Sequence, residues 1–238
     1  VAEGREWHLE YRLCHRDGTV RWVEGRGRAV TDHGQGGPVL EGFIVDITRE
    51  HGARDELARN HKALVLLNEI AFHTAGDLDA RIERALRNAR TYLGMEVAFV
   101  SEVEGDTCLI RWLSSSEEPA LSAGDRLPFS QTWCRLLFEQ PEQELFIEDA
   151  AQPGYEDQPC ARAFPLGAYI GIVIEVEGKP FGALTFTLNR SRSTPFDDSE
   201  RLFVRLLARW LGDAMEQWVT RERVDKLFEQ LPGMIYQF

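Results

Sequence analysis

Leu166-Gly167-Ala168-Tyr169-Ile170-Gly171-Ile172-Val173-Ile174-Glu175-Val176, then Glu177-Gly178-Lys179-Pro180, then Phe181-Gly182-Ala183-Leu184-Thr185-Phe186-Thr187-Leu188, is the stretch that decides the fold. Two β-branched and aromatic runs, 169–176 and 181–188, flank a polar turn, which is the pattern of an antiparallel hairpin. Upstream, 144–147 reads as a short strand and 132–139 as a short helix. Further back, 97–100 and 108–113 are strands joined by the turn Glu104-Gly105-Asp106-Thr107. A helix begins at Asp77-Leu78-Asp79 and runs to Leu93, with Ile82, Ala85, Leu86, Ala89 and Leu93 on one face and Gly94 as its stop. Downstream, Leu202, Phe203, Leu206, Leu207, Trp210, Leu211, Met215 and Trp218 recur at three- and four-residue spacings. They define an amphipathic helix from Asp197 to about Leu227. It exceeds the mean helix length of about 11–12 residues and is expected to serve as a connector.

The chain opens differently. Apolar and polar residues alternate over 6–13 and 20–30, with Asp17-Gly18 between them as a turn signal. The cluster Asp32-His33-Gly34-Gln35-Gly36-Gly37-Pro38 breaks the pattern, and 39–47 resumes it as a third antiparallel strand. From 48 to 75 a charged helix follows, with Leu57, Leu64 and Ala71 seven residues apart and Leu67 and Ile70 filling the same side. That spacing points to pairing with a second copy, the alternative being a single helix packed on its own domain.

Composition narrows the function. With 39 Asp and Glu against 27 Lys and Arg, the net charge of −12 disfavours a phosphate-tracking surface, so nucleic acid is not an expected partner. No apolar run approaches the roughly 18 residues needed to span a bilayer, so no membrane contact is expected within this region, and the cysteine usage makes a reducing cytoplasm the default location. Cys14, Cys108, Cys134 and Cys160 are scattered, with no CxxC pair to build a zinc site or disulfide framework. All six histidines precede residue 74, and there is neither a Walker loop nor a GxSxG elbow, so the region is expected to be non-catalytic.

Glu10-Tyr11-Arg12-Leu13, His15-Arg16-Asp17-Gly18, Val20-Arg21-Trp22-Val23 and Gly42-Phe43-Ile44-Val45-Asp46-Ile47-Thr48 together closely resemble the C-terminal half of a PAS sensor domain. The resemblance implies that the first half of that domain is missing and that the chain is a piece of a longer signalling protein. Four further stretches carry a second resemblance: Ser130-Gln131-Thr132-Trp133-Cys134, Phe146-Ile147-Glu148-Asp149-Ala150-Ala151, Leu166 to Ile174, and Lys179 to Phe186. In that order they resemble a GAF domain. Leu227 to Phe238 resembles the opening of another PAS domain. The implied order is a partial PAS sheet at 1–48, a linker helix at 49–63, a GAF domain at 64–219, and a connector with the start of a second PAS domain at 220–238. The implied fold is α+β: a six-stranded antiparallel GAF-like sheet flanked by helices, preceded by a three-stranded antiparallel sheet and a linker helix.

Such tandems are similar to the sensory regions of bacterial histidine kinases and of cyclic-di-GMP enzymes. In many GAF relatives a small ligand sits on the far side of the sheet, so the resemblance implies a pocket there. Trp112, Phe129, Trp133, Tyr155 and Tyr169 are aromatics suited either to a pocket wall or to the core. Asp149 is the polar partner at the expected mouth, or else a loop carboxylate or helix cap. Cys134 is either a thiol activated near a helix start or a buried small hydrophobe. Cys160 falls where bilin-binding relatives attach a chromophore, but Ala161 follows it where His is usual, so it reads as a plain loop cysteine. Asn189-Arg190, Phe196, Asp197, Asp198 and Glu200 loosely resemble a cyclic-nucleotide signature, while Asp197 and Glu200 equally suit a helix cap, the reading favoured here.

These observations support a sensory fragment, homodimeric through its helices, whose GAF domain binds a small molecule or relays a signal. The ligand or cofactor stays unnamed. The alternative is a thiol or redox-active protein using Cys134 with Cys108 or Cys160.

Overall fold

The computed structural model describes residues 6–31, 38–72, 77–117 and 120–230. It divides into two units, Val1–His61 and Lys62–Phe238. In the first, strands β1 (Glu6–Cys14), β2 (Val20–Thr31) and β3 (Pro38–Asp46) form an antiparallel sheet in that order. The β1–β2 turn is closed by Asp17, whose carboxylate accepts from Thr19 N and Oγ1 at 2.9 and 2.6 Å, with Gly18 at φ 84°. Asp46 makes the join to helix α1 (Thr48–Phe72), accepting from Thr48 Oγ1 at 2.6 Å, Thr48 N at 3.0 Å and Arg21 Nη1 at 2.6 Å. Those donors, Thr48 foremost, hold the Asp46 carboxyl down at about 2. His51 on α1 stacks on Trp22 of β2, ring centroids 3.9 Å apart, so the helix start is fixed to the sheet.

In the second unit Asp77 caps helix α2 (Leu78–Leu93) by accepting from Ala80 N at 2.9 Å, and Gly94 ends it at φ 65°. Strands β4 (Val97–Glu104), β5 (Thr107–Ser115) and β6 (Arg126–Pro128) follow, then a 3₁₀ turn (Phe129–Gln131) and helix α3 (Trp133–Phe138). After these come β7 (Glu144–Ile147), helix α4 (Pro159–Ala163), β8 (Ala168–Val176), β9 (Lys179–Leu188) and the long helix α5 (Asp198–Gln230). The six strands make one antiparallel sheet in the order β6-β5-β4-β9-β8-β7.

The central hairpin is tighter than the sequence indicates. Val176 pairs Lys179, so only Glu177 and Gly178, at φ 53° and 70°, make the turn, and Lys179 and Pro180 belong to the strand. Strands β6 and the five-residue α4 were not foreseen, since neither is long enough to display a period. Cys160, expected in a loop, is in α4 and buried. The expected start of a second PAS domain falls partly on 231–238, outside the described residues, and 227–230 continue α5.

Alternation gives the sheet two different faces. On one, Ala98, Val100, Ile170, Ile172, Ile174, Leu184 and Phe186 pack against Ile82, Leu86 and Ala89 of α2 and Phe203, Leu207 and Leu211 of α5. Each such buried Leu, Ile or Phe contributes roughly 1.5–3 kcal/mol. On the other, Cys108, Tyr169, Val173 and Ala183 pack against Trp133, Cys134 and Leu137 of α3. Ala63 and Ile70 of α1 join the first of these cores, whereas Leu57 and Leu64 stay exposed, so the expected single stripe is split.

Helix α5 starts on a reciprocal cap: Glu200 N donates to Asp197 Oδ1 and Asp197 N donates to Glu200 Oε2, both at 2.9 Å. Asp197→Ala is therefore expected to cost about 1 kcal/mol and lower the melting temperature by about 2–4 °C, with Asp197→Ser restoring most of it. An unchanged melt for the alanine variant would show that the cap is dispensable.

Candidate ligand cavity

The position of the site follows from one irregularity. Val100 pairs Trp112 but Ser101 pairs Ile110, so Arg111 is an extra residue on β5. Before it, Cys108 and Ile110 face away from the helices; after it, Trp112 faces them and joins the α2–α5 core. Its indole Nε1 donates to Asp79 Oδ1 on α2 at 2.8 Å. Trp112 is thus not a pocket residue, because the bulge reverses the alternation that would have placed it there.

On the face opposite α2 and α5 lies a cavity of about 410 Å3. Its floor is Val97 and Phe99 of β4, Cys108 and Ile110 of β5, Tyr169 of β8 and Thr187 of β9. Trp133 and Cys134 at the start of α3 form one wall, and the segments after β5 and α4, including Leu121, Phe164 and Leu166, form the rest. Trp133 is held in place by its Nε1 donating to Phe164 O at 3.0 Å and by stacking on Tyr169, centroids 5.6 Å apart. At the rim, Ser116 N and Oγ donate to Glu96 O at 3.0 and 3.2 Å, and Asn189 N donates to Glu96 Oε2 at 2.9 Å. Glu96 and Glu117 are the charged groups among the described lining residues, which include no Lys, Arg or His.

Of the sequence candidates, Trp133, Cys134 and Tyr169 are brought together on the cavity wall. Phe129 packs behind it, edge-on to Phe138 at 5.5 Å, and Tyr155 lies tilted against Trp133 at 6.4 Å, neither of them on the wall. Asp149 is also off it, accepting from Ser191 Oγ at 2.7 Å and Ala151 N at 3.1 Å to pin the loop after β7. Asp197 and Glu200 are engaged in the α5 cap, while Asn189 does reach the rim. Sequence reading missed Phe99, Ile110 and Thr187, all of which follow from strand alternation once the register is fixed.

The cavity lining carries two thiols. The Cys134 thiol is held below the ordinary thiol range, first by the neighbouring Cys108 thiol and also by Ser101, whose Oγ is 3.7 Å from Cys134 Sγ, against the opposing effect of burial. Cys108 itself is pushed up by the neighbouring Cys134 and by burial, and Cys160 is raised by burial. Tyr169 OH and Thr185 Oγ1 are buried in the same region without a hydrogen-bond partner, and burial raises Tyr169 well above the usual phenol range. Among the described residues no three His, Cys, Asp or Glu gather as for a metal, and no helix is long and apolar enough to cross a membrane.

Residues 75–216 match the family model of the GAF domain, and residues 1–44 match that of the PAS fold. A blue-light-activated histidine kinase of Brucella anthropi is 31% identical over 109 residues, covering 39% of this chain and 22% of that protein's length. Similar solved structures include the GAF domain from an Acinetobacter phosphoenolpyruvate-protein phosphotransferase, with TM-score 0.56, 14% identity, and coverage of 70% of this chain and 98% of that one. The phycocyanobilin-bound GAF domain from a cyanobacterial phytochrome gives a TM-score of 0.53 at 16% identity, covering 65% and 94%. The chromophore-binding domain of Stigmatella aurantiaca bacteriophytochrome gives 0.53 at 16% identity, covering 87% and 73%. At these identities the likeness is one of fold.

The thiol environment makes a direct prediction. In a Cys14→Ser background, the rate at which methyl methanethiosulfonate modifies Cys134 should level off at a pH below that at which an ordinary thiol does. A rate that keeps climbing past the ordinary thiol value of about 8.5 would contradict the described environment.

Proposed function

We propose, because this chain belongs to the GAF domain family, that it is a sensory region of a bacterial signal-transduction protein whose cavity receives a small molecule and whose helices pass on the result. The carrying observation is the cavity itself: about 410 Å3 of mainly apolar space on one sheet face, with helices packed on the other. That volume lies within the range of small-molecule sites, roughly 300–1,000 Å3. Carboxylates at the rim and no cation among the described lining favour an uncharged or cationic ligand over a cyclic nucleotide. This reading assigns the region no reaction of its own. A histidine kinase output is favoured over a cyclic-di-GMP enzyme by the Brucella anthropi relative. A cytoplasmic location completes the reading.

The relay rests on how α5 is tied to the sheet. Its Gly212 lies so close to Glu175 O of β8 that an added Cβ would come within 2.5 Å. Glu216 Oε1 accepts from Glu177 N at 2.6 Å, and Arg205 Nε and Nη2 donate to both oxygens of Glu144 on β7 at 2.6 Å. A shift of β8 or β7 therefore reaches α5 directly. We place a second copy of the chain on the helices, because Leu57, Leu64 and Phe72 of α1 are 70%, 59% and 79% exposed and Leu202 of α5 is 48% exposed.

Solvent extracts of the purified protein are expected to release a small molecule detectable by mass spectrometry. Thr187→Trp, which puts an indole into the cavity, should abolish it while the protein still melts cooperatively. Extracts of native and variant protein that are indistinguishable would contradict ligand binding. In sedimentation experiments the chain should be dimeric and Leu57→Glu/Leu64→Glu monomeric with helicity retained; a monomer before mutation would remove the dimer from this account.

A further inference from the structure

Ligand binding leaves the two thiols of the cavity without a role. Cys108 of β5 and Cys134 of α3 are 1% and 2% exposed, yet both stand on the cavity wall. They meet what enters the cavity and are screened from reagents too large for it. The other two cysteines differ: Cys14 is exposed at the end of β1, and Cys160 is buried in the same core but off the wall. The groups around the pair are neutral. Ser101 Oγ is 3.7 Å from Cys134 Sγ, and the unpartnered hydroxyls of Thr185 and Tyr169 lie on the same sheet face. A buried hydroxyl such as that of Ser101 stabilises an anionic sulfur without supplying a countercharge that would close the site to neutral reagents. The pair also bridges two elements, since Cys108 belongs to the floor and Cys134 to the helix that covers it.

We propose that Cys108 and Cys134 are a dithiol redox site, in which a hydroperoxide small enough to enter the cavity oxidises them to a disulfide that staples α3 to β5. Cys134 sulfur attacks one peroxide oxygen and the O–O bond breaks. The alcohol, or water from hydrogen peroxide, leaves with the proton given up by Cys134, and a sulfenic acid forms on Cys134. Cys108 sulfur then attacks the sulfenic sulfur, the S–O bond breaks, and hydroxide departs as water with the proton of Cys108. The two thiols lose two electrons in total and the peroxide gains them. Because both sulfurs stand on the cavity wall, bonding them alters the surface a ligand meets, so oxidation and ligand occupancy are linked, each changing the other by the same factor at equilibrium.

The test uses the full chain carrying Cys14→Ser, exposed to hydrogen peroxide, then denatured and treated with N-ethylmaleimide. Intact mass should show the loss of two hydrogen atoms and a single maleimide adduct, and digestion should yield a peptide joining Cys108 to Cys134 with Cys160 alkylated. With Cys108→Ala, the linkage should vanish and dimedone should trap the sulfenic acid on Cys134. Three maleimide adducts after peroxide, or a linkage through Cys160, would overturn the proposal. If Cys108→Ala does not fold, the linkage map of the Cys14→Ser chain decides alone. A chain that forms no disulfide but still releases a bound small molecule would refute this site and leave the ligand reading standing.

Discussion

The register of β8 against β9 is the constraint on which the larger unit depends. Ala168 opposite Leu188, Ile170 opposite Phe186 and Ile172 opposite Leu184 send one set of side chains into the helix-packed core. Tyr169 opposite Thr187 and Val173 opposite Ala183 send the other set toward the cavity face. With a side-chain period of two, a slip of one residue would exchange the sets, burying threonines under helices and exposing isoleucines. The two-residue turn prevents it. Glu177 adopts a left-handed φ of 53° that a non-glycine residue disfavours, and its N–H is held by Glu216 of α5. The hairpin and the long helix therefore fix one another.

Much of this was legible because long elements announce themselves. The helices at α2 and α5 carry enough turns for a period to show, and the Asp197/Glu200 pair reads as a cap before any coordinate is seen. The three-stranded pattern ending in Asp46-Ile47-Thr48 was equally plain, and the structure adds why those residues end a sheet and begin a helix: Asp46 takes up both donors of Thr48. What the sequence concealed was long-range register. Cys108, Ile110 and Trp112 look like one face of a strand, but the extra Arg111 moves the third to the other side. Asp149, a plausible pocket carboxylate, accepts at Oδ1 from both Ala151 N and Ser191 Oγ, and the latter partner, 42 residues distant, is one that spacing does not reveal.

Cys108 and Cys134 illustrate the same limit with a different outcome. Their separation along the chain offers no motif, and a free cysteine is ordinarily a buried small hydrophobe. Both are indeed buried, but the pairing of Val103 with Cys108 and the packing of α3 on that face set them on one cavity. Cys134, lowered by its neighbours Cys108 and Ser101, differs chemically from Cys160, whose sulfur burial raises despite backbone donors at Cys160 and Ala161.

The account holds that the sheet transmits events from its cavity face to the helices behind it. Hydrogen exchange on the native chain and on Thr187→Trp, read by mass spectrometry, tests this most directly. Filling the cavity should alter protection in α5 over 207–215 as well as in the segments around the cavity. Changes confined to those segments, with α5 untouched, would contradict it.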